Sequence, residues 1–195
     1  MPILPAEPDL HPASLWQGGG RGAPTERWWC LHTKPRQEKA VARVLRAQDI
    51  SYYLPQVVKV DRTPQGRQIR SVVPLFTSYL FLLGDDFARV EALRGNRLVK
   101  VLEIVDQETL IQDLRQVHQM LSSGLTVVPE PVMPVGARVR IKTGPLTGIE
   151  GTVIRRGKRD QFVAIVQFLG RGATVDLEDW QVERIDDQAS RSMLA

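Results

Sequence analysis

Within the run Val72-Val73-Pro74-Leu75-Phe76-Thr77-Ser78-Tyr79-Leu80-Phe81-Leu82-Leu83, ten of twelve residues are apolar or aromatic, the densest such stretch in the chain. A segment of this kind folds only where it is covered, and Leu75 to Leu83 has the length of one buried strand. Pro74 lacks an N–H for a ladder, so it sits better before a central strand than inside one. Gly84-Asp85-Asp86 ends the run. Phe76, Tyr79 and Phe81 put three rings within six positions. Taken singly, each ring reads most simply as core. Taken together, one or two of them also fit as anchors that break the surface for another macromolecule, and the tyrosine hydroxyl wants a polar partner.

A chain of 195 residues and 21.9 kDa is long enough for one large domain or two small ones, each with its own core. No run approaches the roughly eighteen apolar residues of a membrane span. The opening Met1-Pro2-Ile3-Leu4-Pro5 lacks the basic lead and apolar stretch of a secretory signal. The single cysteine, Cys30, cannot close an intrachain disulfide and lies in an apolar segment where packing is its expected role. These features predict a cytoplasmic protein without membrane association.

Net charge is only +4, but it is unevenly placed. From Lys34 to Arg70 nine basic residues face three acids, Glu38, Asp49 and Asp61. Arg138 to Arg159 holds seven basic residues against Glu150, whereas Asp160 to Asp187 holds seven acids against Arg171 and Arg184. A solvated charged face accounts for part of this; segregation by sign also points to contact with nucleic acid or with a machine that handles it.

Residues 1–26 are rich in proline and glycine, include Gly18-Gly19-Gly20, and show no apolar period, so a disordered tail is predicted, with Trp16 as its one unexplained aromatic. A front domain follows over 27–122. Trp28 to His32 reads as a strand; Thr33-Lys34-Pro35 reads as the cap and first turn of a helix reaching about Gln48, with Ala40, Val41, Val44 and Leu45 on one face and basic residues elsewhere. Ser51 to Val60 and Ile69 to Val73 flank a turn with Pro64 and Gly66, predicting a projecting hairpin that carries Arg62, Arg67 and Arg70. After the aromatic strand, Asp85 or Asp86 caps a helix with Phe87, Val90 and Leu93 on one side. Leu98 to Val105 is another strand, and Asp106 caps a helix bearing Leu110, Ile111, Leu114, Val117 and Leu121, closed by Gly124. This order predicts an α+β, ferredoxin-like domain with helices on one side of an antiparallel sheet.

A linker over 123–134 carries Pro129, Pro131 and Pro134. Residues 135–187 then read as five short strands punctuated by glycine, a small closed SH3-like barrel, with 188–195 as a disordered end.

Two sets of residues resemble a known family. Gly136, Val139, Ile141, Gly144, Pro145, Leu146, Gly148, Gly151 and Val153 stand at the spacing of a KOW motif. That spacing has its own physical sense, since Gly144-Pro145 starts a turn, Gly148 permits a positive φ, and Gly151 lets two backbones approach. The motif alone also occurs in ribosomal proteins. Ahead of it, Trp28-Trp29-x-Leu31-x-Thr33-Lys34-Pro35-Arg36-x-Glu38, Tyr53-Leu54-Pro55 and Pro74-Leu75-Phe76-x-x-Tyr79-Leu80-Phe81 look like the N-terminal (NGN) domain of NusG proteins, nearest in wording to the specialised RfaH and UpxY paralogues. The resemblance spans residues 28 to about 186.

It implies a transcription elongation and antitermination factor without catalytic activity, cofactor or metal. His32, Phe76, Tyr79 and Phe81 would form the apolar patch that docks on the β′ clamp helices of RNA polymerase, with the β gate loop as a second contact. Lys34, Arg62, Arg67 and Arg70 would meet the non-template DNA strand. The KOW domain would recruit a ribosomal small-subunit protein or Rho, and the factor would act as a monomer. Two departures stand out: Thr77-Ser78 replaces the usual Pro-Gly or Pro-Asn, and no His-Thr-Thr run is found between Asp86 and Glu91, so no gate-loop residue is assigned. The Val- and Ile-rich rear domain is expected to remain a barrel rather than switch to helix. A general NusG factor and a ribosome-associated KOW protein are the alternatives. An enzyme is disfavoured: His11, His32 and His118 have no metal-spaced partners, there is no phosphate loop or nucleophile elbow, and Asp85-Asp86 reads as a cap.

Overall fold

The computed structural model describes residues 7–130, 137–141, 143–156, 159–166, 169–177 and 182–184. The chain divides into two compact units, Met1–Arg115 and Gln116–Ala195. Gly136, residues 131–134 of the expected linker, residues 1–6 and the 188–195 end lie outside the described residues.

The front unit is built from strands β1 (Leu10–His11), β2 (Arg27–Thr33), β3 (Ser51–Tyr53), β4 (Gln56–Arg62), β5 (Gln68–Pro74), β6 (Tyr79–Gly84) and β7 (Leu98–Glu103), with helices α1 (Glu38–Ala47), α2 (Asp86–Arg94) and the start of α3 (Gln107–Ser122). Five strands form an antiparallel sheet in the order β1-β3-β6-β2-β7; β4 and β5 pair only with each other. Leaving aside β1, the order is that of a ferredoxin-like βαββαβ sheet with the hairpin inserted after its second strand.

One sheet face carries Trp29, Leu31, Tyr52, Leu54, Leu80 and Leu82, packed under Val41, Ala42 and Leu45 of α1 and Ala88 and Ala92 of α2. Each fully buried leucine here stabilises by roughly 1.5–3 kcal/mol relative to exposure. A one-residue slip of β2 would turn Trp29 and Leu31 to the other face, so this layer also holds the register Leu31↔Leu80 and Trp29↔Leu82. The opposite face carries Trp28, Cys30 and His32 beside Leu83, Phe81 and Tyr79. Cys30 is fully buried, and burial pushes its thiol up to about 12. It stays protonated and inert at neutral pH, which suits packing.

Several elements differ from the expectations above. The tail over residues 7–26 is built into the front unit. Leu10 and His11 extend the sheet along β3. Buried Glu7 pairs with Arg43 (3.2 Å) and Arg46 (2.9 Å) of α1. Trp16 stacks on Trp28 at 5.7 Å between ring centroids and meets Tyr53 edge-on at 5.2 Å. The Trp28 indole N–H donates to the Gly20 carbonyl at 2.7 Å. Gly20, at φ 70, has no Cβ because one would lie 2.4 Å from the Trp16 ring. What orders this glycine-rich segment is therefore tertiary contact rather than local propensity. Trp16→Ala is expected to cost about 2 kcal/mol of front-domain stability in urea unfolding, from lost burial and ring contact; an unchanged midpoint would show that the segment contributes nothing to the fold.

Helix α1 starts at Glu38, not at the Thr33-Lys34-Pro35 boundary, because Arg36 adopts φ 61 and closes a turn in which Gln37 N–H donates to the Lys34 carbonyl. The aromatic run is not one strand either: Leu75 to Ser78 is a turn, with Tyr79 N–H donating to the Phe76 carbonyl at 3.0 Å and Ser78 at φ 68. Ser78 thus takes the conformation for which glycine or asparagine is the easier residue. On α2, Asp85 is the cap, accepting from Ala88 N–H at 2.9 Å. The side that carries Phe87, Val90 and Leu93 faces solvent, and Ala88 and Ala92 are the buried apolar residues of this helix. Small residues let the helix approach closely, which the apolar count alone does not reveal. On α3, Leu110, Ile111, Leu114 and Val117 are buried as expected, with Met120 rather than Leu121 completing the stripe.

The rear unit holds β8 (Val128–Glu130), β9 (Ala137–Ile141), β10 (Glu150–Arg156), β11 (Arg159–Val166), β12 (Arg171–Leu177) and β13 (Val182–Arg184), antiparallel in the order β13-β9-β10-β11-β12-β8. The five strands expected of the barrel are all present. β8 is a sixth, drawn from the stretch read as linker and paired with β12.

Candidate functional site

Three loops meet at the end of the front sheet where β2 stops. Thr33 N–H donates to the Ser78 carbonyl at 2.9 Å, and Lys34 N–H to the Arg97 carbonyl at 2.8 Å. The buried Glu38 carboxylate accepts from Ser78 N–H at 2.7 Å, which pins the strained turn to the start of α1. Lys34 Nζ donates to Asn96 Oδ1 at 3.1 Å, and the Arg97 guanidinium donates to Gln37 Oε1 at 2.6 Å. The register of the β2–β7 ladder shifts between His32 and Thr33 at the same place.

This framework presents two chemistries side by side. On the sheet face away from α1 and α2, His32 and Tyr79 are directly opposed across the ladder. Their rings stack at 4.9 Å with planes 15° apart, and both residues are half-buried. Next to them Lys34, Arg36, Arg97 and Lys100 are all exposed, and none forms an ion pair among the described residues. Of these, the sequence motif marks Lys34 alone. Arg97 and Lys100 lie more than sixty residues from it in the chain, so only the register that sets Lys100 opposite His32 brings them in. Arg36 was legible as a charge but not as part of a site.

The four rings and imidazoles expected to share a docking patch separate into two pairs. Phe76 and Phe81 are core residues, 2% and 0% exposed, and meet edge-on at 6.3 Å and 89°. They do not reach the surface; they underlie it. His32 and Tyr79 do reach it.

The hairpin cations Arg62, Arg67 and Arg70 are exposed, and like the loop cations they make no ion pair among the described residues. Their ribbon closes through Gly66 N–H to Thr63 carbonyl at 2.8 Å, Thr63 N–H to Arg67 carbonyl at 2.9 Å, and Arg67 N–H to Thr63 Oγ1 at 3.1 Å, with Gly66 at φ 81.

In the rear unit, Val139, Ile141 and Leu146 are buried, and Gly144 and Gly148 hold φ 92 and φ 87. Gly148 N–H donates to the Ile141 carbonyl at 2.8 Å, so this glycine folds the turn back onto β9. Pro145 lies within the same turn. Gly151 and Val153 pair with Val139 and Ala137. These residues build the turn and ladder of the unit rather than a chemical site. Arg140 and Arg138 both lean on Glu150, Arg140 through its Nε at 3.0 Å. Half-buried His118 on α3 has its pKa lowered by desolvation.

Comparison with known proteins gives three findings. The family profile described as "Transcription termination factor nusG" matches residues 26–134. Comparison with the curated proteins finds no match. Among solved structures, one reported as "Domain interaction in Thermotoga maritima NusG" is similar over 85% of this chain and 100% of that one, at 17% identity and a TM-score of 0.48. The profile covers more than half of the 195 residues, from the start of β2 through the loop of Lys34 and the strand of Tyr79 to the end of α3 and beyond; the chain belongs to the NusG family of RNA polymerase-binding transcription elongation factors.

Proposed function

We propose that this protein is a specialised, RfaH/UpxY-like elongation factor that suppresses pausing or termination. The observation that carries the reading is the stacked, half-exposed His32–Tyr79 pair on the sheet face that α1 and α2 leave free. An aromatic pair held on a rigid sheet, above a core formed by Phe76 and Phe81, is a preorganised anchor of the kind that dominates protein interfaces. It docks on the β′ clamp helices of RNA polymerase, with the β gate loop as a further contact of the same domain. The bound factor favours the elongating conformation by holding it more tightly than the paused one, the only way a ligand shifts such a balance. Lys34, joined by Arg36, Arg97 and Lys100, and the hairpin's Arg62, Arg67 and Arg70 supply contacts to the non-template strand. The rear domain recruits a ribosomal small-subunit protein or Rho. The factor acts as a cytoplasmic monomer and uses no cofactor or metal.

The test is a single-round elongation assay with purified RNA polymerase. Added protein is expected to shorten pause dwell times. In parallel, affinity for the elongation complex is expected to fall with salt, the log–log slope becoming less steep by about 0.7 for each cationic contact removed, beginning with Lys34→Ala and Arg67→Ala. Unchanged dwell times with no measurable binding reject the function; a slope equal to the parent's rejects the DNA contacts alone.

A further inference from the structure

The β4–β5 ribbon has two chemically different faces. From the register, Val58 opposes Val72, Val60 opposes Arg70 and Arg62 opposes Gln68 on one face; Lys59 opposes Ser71 and Asp61 opposes Ile69 on the other. The second face neutralises itself, Lys59 pairing with Asp61 at 3.1 Å. The first has no carboxylate. Its valines are 62%, 50% and 36% exposed at positions 58, 60 and 72, bordered toward the tip by the exposed guanidiniums of Arg62 and Arg70.

Among the described residues this face is covered only at its root. There Gln56 is buried and donates to the Glu7 carbonyl at 2.8 Å and to Asp9 Oδ1 at 2.7 Å, and Lys39 of α1 donates to the Val72 carbonyl at 2.5 Å. The ribbon therefore leaves the domain from a fixed base, and its apolar stripe runs outward into solvent. Exposed apolar stripes bordered by charge mark interaction surfaces.

We infer that the Val58–Val60–Val72 face docks on an acidic protein surface bearing an apolar stripe, with Arg62 and Arg70 meeting carboxylates at its margin. Valine offers no donor or acceptor to phosphates or base edges, and in a groove only thymine methyls would receive it, so three exposed valines fit a protein better than a duplex. Two copies stacked by this face would bring four guanidiniums together with no carboxylate between them, so a second copy is also a poor occupant. The inference rests on the proposed function, because it places that acidic surface on RNA polymerase. It also refines the assignment of the hairpin cations given under the proposed function: Arg67, in the turn, stays with the non-template strand, while Arg62 and Arg70 are reassigned from DNA to the margin of the protein contact.

The experiment measures binding of the full-length chain to core RNA polymerase free of nucleic acid. Val58→Thr/Val60→Thr/Val72→Thr keeps the β-branching that a strand favours and removes the apolar surface; it is expected to bind about tenfold or more weakly with an unchanged unfolding midpoint. Arg62→Ala/Arg70→Ala, which cannot disturb a core, is expected to bind more weakly at low salt and to flatten the salt dependence. A threonine variant that binds like the parent, while Tyr79→Ala does not, overturns this inference and leaves the proposed function standing. Loss of affinity for duplex DNA with polymerase binding intact assigns the face to nucleic acid and overturns it too. A parent chain with no hold on polymerase removes both.

Discussion

Phe81→Ala is expected to destabilise the front domain by about 3–5 kcal/mol, the usual cost of emptying a buried aromatic site that relaxes only in part. The ring has no exposed surface, lies across the ladder from Cys30 and Tyr53, and supports Phe76 edge-on. Urea unfolding of the full chain measures it; a loss under about 1 kcal/mol would mean that the cavity closes or that the ring is not bound by the core. Weaker polymerase binding by this variant should follow the fraction of unfolded protein and vanish when affinity is referred to folded molecules.

Tyr79→Ala is expected to do the reverse. Its ring is half-buried and stacked on His32, so stability should change by about 1 kcal/mol. Affinity for RNA polymerase should drop by about 2 kcal/mol, roughly thirtyfold, as for an anchor at an interface centre. Parental affinity in the folded variant would dismiss this sheet face as the docking surface. The pair of substitutions is informative because the two residues lie two positions apart on one strand and point to the same face, yet differ in whether solvent reaches them.

Much of this architecture can be read from local rules. The order of the main elements, the hairpin with its Pro64-Gly66 turn, the caps at Asp85 and Asp106, the turn at Gly144-Pro145 and the positive φ of Gly148 all follow from residue chemistry over a few positions. Long-range contact decided the rest. Nothing near Trp16 announces that Trp28 and Tyr53, far along the chain, will receive it. Spacing on α2 puts Phe87, Val90 and Leu93 on one side of the helix but does not say which side meets the sheet; Ala88 and Ala92 meet it, and the larger residues face outward. At the candidate site, residue types identified the cations and rings; which rings stay at the surface depends on what covers Phe76 and Phe81, and no spacing encodes that.

Gln56 gives the amino-terminal segment a reach beyond its own contacts. Because the amide of Gln56, at the root of the ribbon, bonds both Glu7 and Asp9 of that segment, trimming the protein at Arg27, the natural place to cut if the first residues were merely a leader, would remove one tie at the base of the arm that carries Arg67 and leave another, Lys39 to Val72. Fusions and shortened clones should therefore begin upstream of Glu7, so that the buried amide of Gln56 keeps its two acceptors.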